Sequence, residues 1–361
     1  MYIYDQIREE TFFLMFYASV AMLSLLAGGY LLFRRANAIA PDVTPPVRLR
    51  RWTAAFFAAI ALCHLWYLPT YFLTSPDDVM LGSLIAGLLD CMTVIPLAIV
   101  ILLVMLQDRK RSLWPIALMV APLIAGNVWG IAARSYALLP VLFAYFLLMW
   151  LGLIIYMVRE VRRYGRWLRD NYADLEHKEV WQSFVVLAII LLVYAIYTLD
   201  VGELIYEYAL DVIIIVLVCY LLWRVETLSD LTLSQTNHDR STSDSLLAKN
   251  IGPLLKQHCE DTQLYLQHDI SLSQLATLIG INRSYLSKHF ALQGITYNAY
   301  INGLRIQYFI NLYHESAATH QPVSAQQLAY QSGFRNYKTF NAAFKKIMEM
   351  TATEWMQQVK S

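Results

Sequence analysis

One pattern occurs twice in the C-terminal third of the chain, first as SLSQLATLIGIN (residues 271–282) and again as SAQQLAYQSGFRN (residues 324–336). Each copy opens with Ser-x-x-Gln, which is typical of a capping box at the start of a helix. Each continues Leu-Ala-x-x-x-Gly, a short helix ended by a glycine in the left-handed conformation, and then supplies Asn as the next N-cap. The two copies therefore predict two short helices, each followed by a turn and a second helix.

The second helices are predicted at Arg283–Leu292 and Tyr337–Ile347. A helix, a glycine-containing turn and a further helix form a helix-turn-helix, whose second helix enters the major groove of DNA. One such hairpin is a weak signal, because two-helix hairpins are common packing units. Two copies with matching caps are a stronger one. Residues 247–361 also hold ten Lys and Arg against six Asp and Glu, so this part is net positive.

A third helix is predicted between the two copies, at Tyr297–Tyr313, where apolar residues recur at helical spacing. A helix of this length extends about 25 Å. Successive major-groove segments on one side of B-DNA lie about 34 Å apart. We therefore expect one chain to read two adjacent groove segments without dimerising.

Residues 249–361 resemble the DNA-binding domain of the AraC/XylS family of bacterial transcription regulators. The resemblance rests on Tyr285-Leu286, Lys288, Phe290, Gly294, Thr296 and Leu304-Arg305 around the first copy, and on Gly333-Phe334, Phe340, Phe344-Lys345-Lys346, Met350-Thr351 and Thr353-Glu354-Trp355 around the second. Three positions depart from the family: Glu349 stands where Gly is usual, Ala352 where Pro is usual, and Phe309 where a small residue is usual. The first two departures suggest a shifted helix start after the second copy, and the third suggests local repacking.

The resemblance implies which side chains meet DNA. They are Arg283, Ser284, Ser287 and Lys288 in the first copy, Arg335, Tyr337, Lys338 and Asn341 in the second, and Thr296 and Thr351 at helix starts suited to phosphate. Lys donates to guanine and Asn pairs with adenine, so the chemistry suits the role. For Lys345 and Lys346, a solvated face and a phosphate contact are equally good interpretations. The implied partners are double-stranded promoter or operator DNA and RNA polymerase.

The rest of the chain has a different composition. Of all 361 residues, 58% are hydrophobic and only 15% charged, and the mean hydropathy is +0.43. In soluble domains roughly 45–50% of residues are hydrophobic and about 25% are charged. The composition of this chain therefore excludes a disordered protein and disfavours a single soluble domain. The net charge of +1 is unevenly spread: residues 1–224 are balanced, 225–246 carry −3 and 247–361 carry +4.

Residues 1–224 contain seven apolar runs, each close to the roughly 20 residues that cross a bilayer. They are Thr11–Phe33, Trp52–Leu73, Met80–Leu106, Trp114–Ala132, Leu138–Val158, Trp181–Leu199 and Leu204–Trp223. Any one run has a buried core helix as its alternative, but seven in succession favour membrane spans. The predicted fold is therefore all-α: a seven-transmembrane-helix bundle at 1–224, a linker at 225–248 and a DNA-binding domain at 249–361. Among family members this matches a membrane-anchored subset.

Loop charge predicts the orientation. Alternate loops carry fourteen Lys and Arg on one side and only Arg8 and Arg134 on the other. Positive loops stay in the cytoplasm, so we expect the N-terminus outside and the C-terminal domain in the cytoplasm of a bacterial cell, with the inner-membrane bilayer around the bundle. Three of the four cysteines fall in spans and Cys259 in the cytosol, which predicts no disulfide.

Four polar residues lie inside the predicted spans, namely His64, Asp90, Asn127 and Asp211. An ionisable group in hydrocarbon usually faces the bundle interior or a cavity. One interpretation is a polar cavity, open to the periplasm, that binds an unknown small-molecule or membrane signal. The equally good alternative is interhelical hydrogen bonding, such as a His64–Asp90 pair. The polar linker favours regulation through a homodimer, or through release from the basic loops, over a rigid lever.

Functions other than transcription regulation have weaker support in the sequence. The sequence has no H-E-x-x-H, G-x-S-x-G, P-loop or G-x-G-x-x-G motif, so we expect no enzyme, no cofactor and no metal site. The alternative function is a small transporter or receptor whose C-terminal domain is a regulatory protein-interaction module. A third interpretation is a tail that has lost DNA binding.

Overall fold

The computed structural model of the chain describes residues 2–197, 204–231, 251–319 and 323–360. Within these residues the regular elements are helices, accompanied by one isolated antiparallel bridge between Tyr172 and Ser271, and the all-α prediction is confirmed. The chain divides into two compact units. The N-terminal unit comprises Met1–Arg162 and Val180–Leu231, and the C-terminal unit comprises Arg163–Glu179 and Thr232–Ser361.

Eight helices belong wholly or mainly to the N-terminal unit within the described residues. They are α1 (Tyr2–Phe33), α2 (Val47–Tyr67), α3 (Pro76–Met92), α4 (Val94–Val104), α5 (Trp114–Ala133), α6 (Leu139–Asn171), α7 (Trp181–Tyr197) and α8 (Leu204–Thr227). Six helical stretches of the described part are long and apolar enough to cross a membrane, with α3 and α4 counted as one stretch, Pro76–Val104. The predicted run Trp181–Leu199 extends beyond the described residues, which stop at 197, so a total of seven stays a prediction.

The predicted run Met80–Leu106 is not one helix. It is broken at Thr93, whose φ and ψ of −127° and −69° are not helical. Pro96 explains the break, because a proline has no N–H to donate to the carbonyl four residues earlier and its ring clashes with that carbonyl. The Thr93 hydroxyl donates to the carbonyl of Leu89 at 2.7 Å, which supplies one of the missing bonds.

The C-terminal unit contains seven further α-helices within the described residues, besides a π-helical turn at Lys256–Glu260 and a 3-10 turn at Leu264–Leu266. They are α9 (Ile251–Leu255), α10 (Leu272–Leu278), α11 (Arg283–Leu292), α12 (Tyr297–Ala318), α13 (Ala325–Gln331), α14 (Tyr337–Met348) and α15 (Ala352–Lys360). Both helix-turn-helix motifs are present, as α10–α11 and α13–α14. The predicted bounds of α11 are confirmed, α14 is one residue longer than predicted, and α12 is five residues longer. The predicted linker lies outside the described residues from 232 to 248.

Two hydrophobic cores hold the C-terminal unit together, one around each helix-turn-helix. The long helix α12 contributes to both, with Tyr297 and Ile301 in the first core and Ile306, Phe309 and Tyr313 in the second. One rigid helix therefore sets the distance between the two motifs. Eight apolar residues of the two motifs are buried: Leu275, Ala276, Leu286, Phe290, Leu328, Phe334, Phe340 and Phe344.

The two motifs turn in the same way. Gly280 and Gly333 follow α10 and α13 with φ of +71° and +88°, the left-handed conformation that favours glycine. The N–H of Gly280 donates to the carbonyl of Thr277 at 3.1 Å, and the next N–H, of Ile281, donates to Ala276 at 3.0 Å. The turn at Gly333 contains the same two hydrogen bonds, so both turns are Schellman motifs.

The turns differ in how much space surrounds the glycine. A Cβ on Gly333 would lie 2.8 Å from the Cα of Leu266 and 2.9 Å from its carbonyl oxygen, whereas a Cβ on Gly280 would have no neighbour within 4 Å.

We predict that Gly280→Ala costs about 1–2 kcal/mol, the penalty of the left-handed conformation. Gly333→Ala should cost about 1–3 kcal/mol more, because backbone must move.

Hydrogen–deuterium exchange of the detergent-solubilised full chain measures this difference through the opening free energies of the α11 and α14 amides. Gly280→Ala is the matched control, since it carries the same conformational penalty without the clash. Equal losses in the two variants would show that the Leu266 backbone yields at little cost.

Candidate nucleic-acid interface

Both recognition helices, α11 and α14, begin at an asparagine cap, as predicted. The Asn282 Oδ1 accepts the backbone N–H of Ser284 at 2.8 Å, and the Asn336 Oδ1 accepts the N–H of Thr339 at 2.7 Å. The preceding helices also start as predicted, since the hydroxyls of Ser271 and Ser324 accept N–H groups three residues on. In the first motif Gln274 completes the predicted box by accepting the Ser271 N–H at 2.8 Å. In the second motif the described residues show only the serine half of the predicted box.

The ten residues predicted to meet DNA differ in exposure. Ser284, Lys288 and Lys338 are exposed, whereas Arg283, Ser287, Thr296, Arg335, Tyr337, Asn341 and Thr351 are half-buried. Lys345 and Lys346 are exposed on the last turn of α14. The outer face of each recognition helix therefore presents at least one lysine beside short polar side chains, which is the composition that donates to base edges and phosphates.

The first recognition helix starts with an arginine that already has a partner. The Nε of Arg283 donates to the Oδ1 of Asn171 at 2.9 Å, and its Nη2 donates to the same oxygen. Asn171 is the last residue of α6 and lies in the same compact unit. Nothing in the sequence pattern pointed to this contact, because the two residues are 112 positions apart.

Side chains of the second recognition helix are also engaged. The Tyr337 ring stacks on Phe340 with centroids 5.6 Å apart, and Arg335 lies 3.5 Å from the carboxylate of Asp269. The Oδ1 of Asn341 is enclosed and has no hydrogen-bond partner among the described residues. The Asn341 side chain must therefore change rotamer before it can pair with adenine. The Tyr337 ring packs within the domain, so only its hydroxyl is available as a hydrogen-bonding group for DNA.

The two predicted phosphate sites differ in charge. Thr296 caps α12 by accepting the N–H of Ala299 at 3.1 Å, and the first turn of α12 holds no acidic residue. Thr351 and Glu354 form a reciprocal cap at the start of α15, with the Thr351 N–H donating to Glu354 at 2.8 Å. These bonds, the backbone one foremost, hold the pKa of Glu354 below its usual range. A carboxylate thus occupies the α15 N-terminus, and phosphate is better accommodated at α12.

The helix between the two motifs is longer than the sequence predicted. Helix α12 has 22 residues, which corresponds to about 33 Å. This length approaches the roughly 34 Å between major-groove segments on one face of the duplex. The underestimate of α12 arose because its last turn is polar and exposed, and so lies outside the apolar pattern.

A buried arginine in α12 joins the two motifs. Arg305 is almost completely buried, and its guanidinium donates to the carbonyls of Tyr265 and Gln267 at 2.7 Å each. It also lies over the Phe334 ring at 5.5 Å. Burial lowers the pKa of Arg305 to about 10, so it remains charged at neutral pH. The burial of Arg305 could not be predicted, because a lone arginine in a helix gives no sign of it in the sequence.

The polar residues of the N-terminal unit form separate pairs. His64 and Asp211 are both buried, with Nε2 and Oδ1 3.3 Å apart, and the Tyr17 hydroxyl donates to the His64 carbonyl at 3.0 Å. Asp90 instead accepts bonds from Trp66 at 3.1 Å and Tyr67 at 3.0 Å. The suggested His64–Asp90 pair is therefore wrong, since helix rotation places Asp211 of α8 opposite the histidine.

The other predicted member of this group, Asn127, donates to the carbonyl of Leu123 at 2.9 Å, within its own helix. A residue that the sequence analysis missed is Glu207, which accepts a bond from the Tyr71 hydroxyl at 3.2 Å. It lies one helical turn before Asp211, so its spacing could have marked it. The ring centroids of Phe13, Tyr17 and Tyr71 lie 5.4–5.7 Å from one another, and that of Tyr17 lies 4.5 Å from the His64 ring.

The C-terminal part matches a known domain family. A helix-turn-helix domain family matches residues 275–358, and this part is an AraC-type helix-turn-helix domain. Two HTH-type transcriptional regulators of Staphylococcus aureus, one of them from strain MRSA252, are each 28% identical over 102 residues. The alignments cover 28% of this chain and 13% of each relative, so the chain spans a small part of their length. No solved structure matches.

Glu349, which stands where the AraC/XylS family usually has glycine, ends α14 with φ of +59°. This is the left-handed conformation, which costs a non-glycine residue about 1–2 kcal/mol. We predict that Glu349→Gly stabilises the C-terminal unit by about 1 kcal/mol, part of the gain being offset by the greater freedom of glycine when unfolded. Helix α15 begins at Ala352, directly after Thr351, whose hydroxyl accepts the N–H of Glu354.

The measurement is the opening free energy of α14 amides by hydrogen exchange on the full chain. Glu315→Gly is the matched control, because Glu315 is equally exposed but lies inside α12, where glycine should cost about 1 kcal/mol. A loss of protection in Glu349→Gly would contradict the argument from backbone strain.

Proposed function

We propose that the chain is a transcription regulator embedded in the bacterial inner membrane, which binds promoter DNA through its two helix-turn-helix motifs. The observation that carries the proposal is the repetition of one capped motif, with two recognition helices held by a single helix of about 33 Å. The printed names of the Staphylococcus aureus relatives, HTH-type transcriptional regulators, agree with it.

The division of labour follows from sequence and charge. We assign membrane anchoring to the apolar helices of residues 1–224, a connecting role to 225–248 and DNA binding to 249–361. Within the first range, Arg163–Glu179 belongs to the same compact unit as the DNA-binding part. The fourteen basic residues on one side of the apolar helices support an external N-terminus and a cytoplasmic DNA-binding domain. Six membrane-length helical stretches in the described residues support multiple crossings.

The sensing role is assigned to the buried polar groups of the N-terminal unit. His64, Asp90, Asn127 and Asp211 would respond to a small molecule or a membrane signal, and the His64–Asp211 pair is their centre because it is the most deeply buried. A regulator bound at a promoter implies RNA polymerase as its further partner. Formation of a homodimer is one mechanism by which a signal would change the affinity of the chain for DNA.

The first test is DNA binding by the full chain in detergent. We expect genomic fragments to shift at about 50 mM salt, where phosphate contacts are strongest. Lys288→Ala, which removes an exposed donor on α11, should weaken binding to the preferred fragment by about 1–3 kcal/mol, or roughly 5- to 150-fold, and should alter base preference at one position. Fluorescence anisotropy against fragments found by genome-wide mapping measures both effects.

Lys256→Ala is the matched control, because Lys256 is an equally exposed lysine outside both motifs. Lys345→Ala should weaken binding to all sequences alike and lower the salt dependence by about one charge, as expected for a phosphate contact. Failure of the wild-type chain to shift any fragment would rule out the DNA-binding function and leave the protein-interaction module as the alternative.

The second test concerns sensing. We predict that Asp211→Asn and His64→Ala each abolish the response of a promoter reporter to growth conditions, because each removes one partner of a buried pair and leaves the other unpaired. Ser19→Ala is the control, since Ser19 is exposed and its hydroxyl bonds only within α1. Immunoblots of membranes confirm equal protein levels. Intact responses in both variants would refute the sensing role.

A further inference from the structure

The C-terminal unit includes a stretch of chain that the sequence places between two apolar helices. This docking segment, Arg163–Glu179, consists of the last turns of α6 and the loop before α7. Its backbone forms the antiparallel bridge of Tyr172 with Ser271, and the N–H of Ala173 donates to Ile270 at 3.4 Å. Ala173 is a buried member of the core around the first helix-turn-helix. The segment is therefore built into this domain.

Side chains strengthen the attachment. The amide Nδ2 of Asn298, in the first turn of α12, donates to the carbonyl of Ala173 at 2.6 Å. The Lys178 ammonium lies 3.2 Å from the carboxylate of Asp269 and over the Tyr172 ring at 5.6 Å. Lys178 is buried, so these partners replace the water that its ammonium group loses on burial.

The segment also occupies the arginine that opens the first recognition helix. Asn171, which is 7% exposed, accepts hydrogen bonds on its Oδ1 from both Nε and Nη2 of Arg283. These two nitrogens form one of the paired edges with which an arginine binds phosphate or guanine in a bidentate manner. While these two nitrogens of Arg283 donate to Asn171, they cannot donate to DNA.

A second arginine is linked to the same segment. Asp269 bridges Lys178 and Arg335, its two carboxylate oxygens lying 3.2 Å and 3.5 Å from their nitrogens. Arg335 stands at the turn of the second helix-turn-helix. One arginine from each motif is therefore held within a network that includes the docking segment.

We propose that the docking segment is an intramolecular competitor of DNA, which holds Arg283 through Asn171 until the segment is displaced. The proposal rests on the proposed DNA-binding function. Because the segment is the covalent connection between α6 and α7, a change in either apolar helix reaches Arg283 through the chain itself. The oxygen of Asn171 and a DNA phosphate or guanine are alternative acceptors for the same two N–H groups.

The opposite role has its own support, and the experiment separates the two. Arg163, Arg166 and Arg169 are exposed on the last turns of α6. If these side chains bound phosphate, the segment would assist DNA binding and Asn171 would orient Arg283 toward the duplex. Loss of the Asn171 oxygen would then weaken binding, whereas a competitor's loss strengthens it.

The test uses the full chain in detergent and the fragment that it binds best, with the dissociation constant measured by anisotropy. Asn171→Ala should bind DNA about three- to tenfold more tightly, since one hydrogen-bonded competitor is removed. Asn171→Asp should bind several-fold more weakly, because a carboxylate pairs more strongly with Arg283. Opposite changes at one position cannot arise from general damage to the fold.

Two controls isolate the contact. In an Arg283→Ala background, Asn171→Ala and Asn171→Asp should no longer change the dissociation constant. Asn311→Ala, an exposed asparagine on α12, should have no effect in either background. If the wild type binds and Asn171→Ala binds equally or more weakly, the competitor proposal is overturned while DNA binding stands. If neither binds any fragment, both proposals fail, and binding by Asn171→Ala alone supports both.

Discussion

The arrangement of the C-terminal unit depends on the burial of one charged side chain, Arg305. Its guanidinium is surrounded by backbone carbonyls of residues 265–268 and by the ring of Phe334, so one group ties the central helix to the start of the domain and to the second turn. Close packing of Gly333 on Leu266 and the 3.0 Å contact of His268 with the Gly333 carbonyl reinforce the same junction. A buried cation without these acceptors would cost several kcal/mol. The two recognition helices consequently keep a fixed separation.

Local features of this domain could be predicted from the sequence because their causes are local. A serine or asparagine that caps a helix and a glycine that ends one act within a few residues, so the starts of α10, α11, α13 and α14 and both left-handed turns were found from the pattern. The apolar face of each helix likewise identified its core residues. Phe309 shows the limit: its bulk indicated repacking, but only the structure shows it 4.7 Å from the ring of Phe340.

Features that join distant parts of the chain could not be predicted. The partner of His64 depends on how α2 and α8 are rotated about their axes, and the apolar composition of both helices leaves that rotation undetermined. The attachment of Asn171 and Ala173 to the first helix-turn-helix involves small residues without a repeating pattern. The break at Thr93 is different, because Pro96 was visible and its effect on the preceding turn is a general rule.

The presence of Ala173 in the core around the first helix-turn-helix has a consequence for evolution and for engineering. A DNA-binding domain that begins after the last apolar helix would lack one wall of this core, together with the carbonyl that accepts the Asn298 amide. The domain is therefore discontinuous in sequence, and its C-terminal part alone cannot be transferred to another protein as a complete domain. Recombination between related genes would conserve its stability only when the loop after α6 is inherited together with the tail.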